Sequence, residues 1–144
     1  MAKYVQFGPW TIAIDERETA RATRMIVPGT ERCGCFFCRQ FRHGRATLGY
    51  RFFDDLTALG IDPERETDVT HFRELEDGSH LFLSWYHNVG EIVSGPAEGV
   101  FHRWGDEVEV TLARRRDALP AAFPEPALQI HFIVRLPWRG MVLV

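Results

Sequence analysis

Cys33-Gly34-Cys35-Phe36-Phe37-Cys38 places three thiols in the spacing C-x-C-x-x-C. Soft thiolates on so short a segment can converge on one point, and Gly34 gives the backbone freedom to fold the first two together. Zinc binds thiolate strongly and takes four ligands in a structural site, so Cys33, Cys35 and Cys38 form a candidate zinc site that needs one further donor. His43 is the nearest histidine in sequence. On an unbroken helix a spacing of five turns it about 140° away from Cys38, so that pairing requires Gly44 to loosen the helix end. His71, His80, His87, His102 and His131 are the other histidines the fold can bring to the sulfurs.

Two further readings of the same residues stay open. Free cysteine is commonly interior and behaves as a small hydrophobe, which suits neighbours such as Phe36 and Phe37. C-x-x-C also belongs to dithiol redox sites, and Arg32, Arg39, Arg42 and Arg45 would favour thiolate over thiol; this reading predicts reversible Cys35–Cys38 pairing. Those arginines can also hold an anion at a helix start, or simply form a solvated basic face. Three cysteines are an odd number, so a fully paired disulfide framework leaves one sulfur over, and reduced thiols or metal ligands fit better.

Other polar residues point to structure. Asp54 and Asp55 are adjacent, and neighbours on a helix diverge by about 100°, so they read as helix surface rather than as an acid/base pair. His87, in the apolar run after Trp85 and Tyr86, reads as a hydrogen-bonded core histidine. Arg114-Arg115-Arg116 is too short a run to indicate nucleic-acid binding. The sequence has no G-x-S-x-G elbow, Walker loop, dinucleotide fingerprint or H-E-x-x-H helix, so no catalytic residue is assigned.

The elements that must position the thiols follow from hydrophobic periodicity. Trp10, Ile12 and Ile14 alternate as in a strand after a Gly8-Pro9 turn, and Asp15 to Arg24 reads as a polar stretch leading to a short strand at Met25-Ile26-Val27. A short helical piece is expected from about Phe37 to His43. Leu48, Phe52, Leu56 and Leu59 then recur at helical spacing, predicting an amphipathic helix that ends at Gly60. The remainder reads as sheet: Leu81 to Tyr86, a continuation bent at Gly90, and a hairpin from Val100–Trp104 to Glu107–Leu112 through Gly105-Asp106. A proline-stiffened connection, Leu119 to Pro126, leads into a strand over Leu128–Leu136. The expected fold is α+β, one domain over residues 1–144, with a mainly antiparallel sheet packed against one principal helix and the cysteine turn joining the first strands to it.

At 144 residues the chain is long enough to bury a core without staples. Its 45% apolar and 26% charged content is that of a globular protein. A net charge of −3 gives no global reason to seek nucleic acid, and no apolar stretch approaches membrane-spanning length, so a cytoplasmic location is expected.

Cys33-Gly34-Cys35-Phe36-Phe37-Cys38-Arg39-Gln40-Phe41, with Leu56-x-x-Leu59-Gly60-Ile61-Asp62 and Trp85-Tyr86-His87-Asn88-Val89-Gly90, resembles an uncharacterised bacterial family whose motif reads C-x-C-x-x-C-R-N-F. Gln40 stands where that pattern has Asn. The segment is also locally similar to glutathione-dependent formaldehyde-activating enzymes, whose zinc motif reads C-x-C-x-x-C-R; that likeness implies zinc and carbon–sulfur lyase chemistry, although those enzymes bring further cysteine ligands and this chain has three in all. The leading expectation is a noncatalytic binding or accessory domain with structural zinc. Two alternatives are a small thiol- or metal-dependent enzyme acting on an anionic substrate near the arginines, and an immunity-like protein that binds a protein partner, which the mild acidity and many aromatics permit.

Overall fold

The computed structural model describes residues 2–137. Strands β1 (Lys3–Phe7) and β2 (Trp10–Ile14) form a hairpin closed at Phe7↔Trp10. Three helical segments carry the chain to the sulfurs: α1 (Glu16–Ala22), a 3-10 turn (Thr23–Met25) and α2 (Gly29–Cys33). Helices α3 (Phe36–Thr47) and α4 (Arg51–Thr57) follow, then β3 (Asp68–Glu74), β4 (His80–Ser94), β5 (His102–Trp104), β6 (Val108–Ala113) and β7 (Ala127–Leu136). All pairings are antiparallel, in the order β1-β2-β4-β7-β6-β5. The fifteen-residue β4 pairs with β7 along one edge, while its other edge takes β3 at one end and β2 at the other.

Alternation explains which face is dry. Leu128, Ile130, Phe132, Val134 and Leu136 of β7 are all buried, joined by Phe82 and Tyr86 of β4 and by Val108, Val110 and Leu112 of β6. Onto this face α3 lays Phe41, whose ring centre lies 5.5 Å from Phe82 and 6.4 Å from Phe132, and α4 lays Phe52, Phe53 and Leu56. Each such side chain contributes about 1.5–3 kcal/mol by leaving water, and this burial fixes α3 and hence the cysteines at its start. The expected α+β architecture with an antiparallel sheet is what the chain forms, and the β7 strand and the irregular connection before it lie where periodicity put them.

Several boundaries differ, each for a physical reason. The short piece expected over Phe37–His43 is the longer helix α3, which runs through Gly44 to Thr47 and is ended by Gly49, at φ 63°, in the left-handed conformation common just past a helix C-cap, while the helix drawn over Leu48–Leu59 shortens to α4, Arg51–Thr57. A glycine inside a helix costs about 1 kcal/mol against alanine, less than burying Phe41 returns. The polar stretch after Ile14 is helix α1, capped by Asp15, whose carboxylate accepts from the Glu18 amide at 3.0 Å. Met25-Ile26-Val27 is no strand; Ile26 packs instead with Ala22, Val89 and Phe123. β4 passes Gly90 unbroken, and glycine is needed there because a Cβ would sit 2.5 Å from the Ala13 carbonyl oxygen. The β5–β6 hairpin pairs Trp104 with Val108, so its loop holds three residues rather than two.

Candidate metal centre

The three sulfurs come from the junction of α2 and α3. Cys33 is the last residue of α2, and Gly34 closes that helix at φ 65° with its amide donating to the Thr30 carbonyl at 3.0 Å. A Cβ at Gly34 would meet nothing within 4 Å, so the backbone conformation, not crowding, selects glycine. Cys35 is the N-cap residue of α3, extended at φ −77° and ψ 173°, and Cys38 lies in the first turn. Folded this way, the Sγ atoms of Cys33, Cys35 and Cys38 all lie within 4.8 Å of one another. Cys33 and Cys35 are exposed and Cys38 is buried.

The sulfurs are electrostatically unequal. The Cys38 amide, then the Cys33 thiol, hold Cys35 down to about 7. Burial pushes Cys38 up, and the Cys33 and Cys35 thiols push it further. Zinc takes cysteine as thiolate, so an ion at the shared point would have to displace the thiol protons and its affinity would rise with pH.

Beneath the turn lies a clamp that the sequence did not disclose. The Glu66 carboxylate, fully buried, accepts from Arg45 Nη1 of α3 at 2.6 Å and from the Thr30 hydroxyl of α2 at 3.1 Å. The Glu66 carbonyl accepts from the Gly29 amide at 3.1 Å. Burial pushes the Glu66 carboxyl up, against the opposing pull of Arg45 and Thr30. One residue therefore ties together the two helices that carry the sulfurs.

The remaining candidate residues fall elsewhere. Because α3 is continuous through Gly44, His43 is carried round the helix from Cys38, and the ligand group holds the three cysteines without it. Of the four nearby arginines, Arg45 faces inward to Glu66 and Arg32 reaches the Thr67 carbonyl and Asp68. Arg39 donates to the Gly34 carbonyl at 3.2 Å, inside the cysteine turn, and Arg42 is exposed. Phe37 stacks on His71 at 3.9 Å, and His71 Nε2 lies 2.7 Å from His80 Nδ1, so the outer side of the turn leans on β3 and β4. His87 is the satisfied core residue expected: its Nδ1 lies 2.7 Å from the Thr67 hydroxyl and its Nε2 2.8 Å from Gln129 Oε1. His131 shares that Gln129 amide, and His102 is exposed on β5.

Among the described residues, no helix is long and apolar enough to cross a membrane. No family model, curated protein or solved structure matches the chain.

Proposed function

We propose that this is a noncatalytic binding or accessory domain in which Cys33, Cys35 and Cys38 hold one zinc ion. The observation that carries the reading is the approach of three sulfurs to within 4.8 Å on a turn whose two helices are clamped by a buried carboxylate. Thiolate is the donor that zinc takes most readily at such a turn. Cys33 and Cys35 are exposed, so solvent, His43 after a local rearrangement, or a group from a bound molecule would supply the fourth position. Phe36 and Phe37, 44% and 36% exposed, give that position an apolar rim suited to a binding role.

Elemental analysis of chain purified under reducing conditions without added metal tests this. The expected result is one zinc per chain, lost in Cys35→Ser; a clearly substoichiometric content would reject the zinc reading.

A second reading, a thiol-dependent enzyme, is favoured by one observation: Cys35 is exposed and its thiol is held down to about 7. Alkylation of metal-free protein separates the two. An enzyme nucleophile should be blocked by an anionic alkylating agent faster than by a neutral one of equal reactivity, whereas an accessory metal ligand shows no such preference.

A further inference from the structure

We propose that Cys35 and Cys38 are also an oxidisable pair, closing to a disulfide in a state that excludes the metal. The proposal uses the sulfurs of the site above but does not depend on zinc being their ion.

The geometry is suited to closure. Cys35 caps α3 and Cys38 follows one helical turn later, a separation that brings two Cα atoms within the roughly 4.4–6.8 Å that a disulfide spans. Their sulfurs already lie within 4.8 Å, so side-chain rotation can supply most of the remaining approach. Cys35 stands outside the regular helix and is exposed, so an oxidant reaches it; Cys38 is 5% exposed, which screens it from the same oxidant while leaving it beside Cys35. One sulfur is placed to react first and the other to resolve. Beyond its chain neighbours, nothing lies within 4 Å of where a Cβ at Gly34 would stand, so the turn between Cys33 and Cys35 is uncrowded on that side.

The co-reactant is a hydroperoxide. The Cys35 thiolate attacks the outer peroxide oxygen; the O–O bond breaks, giving a sulfenic acid on Cys35, and the alkoxide leaves and takes up a proton as alcohol. The Cys38 sulfur then attacks the Cys35 sulfur, the S–S bond forms, and the S–O bond breaks with hydroxide leaving as water after taking the Cys38 proton. Two thiols lose two electrons and two protons, and the peroxide is reduced to alcohol and water. Closure removes two of the three sulfur donors, so a bound ion is released.

The test uses the full chain, reduced, metal-free and dilute, treated with one equivalent of hydrogen peroxide. Free thiols are expected to fall from the three in the sequence to one, with peptide mapping placing the bridge at Cys35–Cys38 and dithiothreitol restoring all three. Cys33→Ser should close equally well, and Cys38→Ser should leave a sulfenic acid on Cys35 that a 1,3-diketone traps. An unchanged thiol count, a bridge that uses Cys33, or Cys35 advancing to sulfinic acid while Cys38 stays reduced would each overturn the proposal. Because closure is read without metal, its failure leaves the zinc reading standing; absence of zinc would likewise leave closure to be judged on its own.

Discussion

Two regions of the molecule gather groups able to bind a metal or move a proton, and they differ in where their hydrogen bonds go. In the ladder between β4 and β7, His87 is fully buried, and both its ring nitrogens are engaged, by Thr67 and Gln129. The Gln129 amide nitrogen serves His131 and Asp117, and Asp117 also pairs with Arg115 at 2.8 Å. With the Gln129 oxygen accepting, His87 carries its proton on Nε2 and receives the Thr67 hydroxyl at Nδ1, a neutral tautomer inferred from its partners. In the cysteine turn the three sulfurs lie within 4.8 Å of one another, and Cys33 and Cys35 are exposed. Residue type alone marks both regions as candidates; satisfaction and exposure separate a fastened core network from a site with valence to offer.

The comparison breaks most visibly at the anchor beneath the turn. Glu66→Ala leaves the Arg45 guanidinium buried without its partner, and urea denaturation should show a loss of about 3–5 kcal/mol together with weakened zinc binding. A loss under about 1 kcal/mol would mean that the pair does not hold α2 to α3.

Acid probes the ladder next. Burial lowers His87 to about 4 from an ordinary 6.5, so the unfolded chain binds the proton more readily between those values. Stability is therefore full above about pH 6.5 and declines as pH falls towards 4, by about 3 kcal/mol at most from this group. Burial lowers His131 as well, in the same direction. Replacing His87 with Gln should flatten that part of the pH–stability curve; an identical curve would show that His87 is not the group responsible. Thr67→Val, which keeps the shape but leaves His87 Nδ1 without its donor, should cost about 1–3 kcal/mol in thermal or urea unfolding. A neutral result there would mean the network is not tightly satisfied.

At the small end, Cys33→Ser in metal-free protein should change stability by no more than about 0.5 kcal/mol, since the residue is exposed. With zinc present the same change should lower the melting temperature relative to the parent, because only the parent gains the full sulfur set. A large loss without metal would place Cys33 among the structural residues.

How much of this was legible in the sequence depends on the range of the interaction. The meeting of the three sulfurs follows from spacing and a glycine, a local matter, and so does β7 with its alternating apolar residues. Helix α1 had a local signal too, Asp15 three residues before Glu18, but it buries only Thr19 and Ala22 and shows no apolar stripe. β3 was hidden because its exposed edge carries charge and most of its side chains meet water. Glu66 was beyond reach: its partners lie 21 and 36 residues away, and Glu64-Arg65-Glu66 looks like any solvated run. For His43, sequence named the condition, a helix loosened at Gly44; packing of Phe41 across the sheet keeps that helix intact.

X-ray absorption at the zinc edge of the zinc-loaded, reduced chain tests most directly whether one ion is shared by the turn. The expected spectrum has three sulfur scatterers at about 2.3 Å and one lighter atom, nitrogen or oxygen, near 2.0 Å. A first shell of nitrogen and oxygen alone, or one sulfur in place of three, would contradict it.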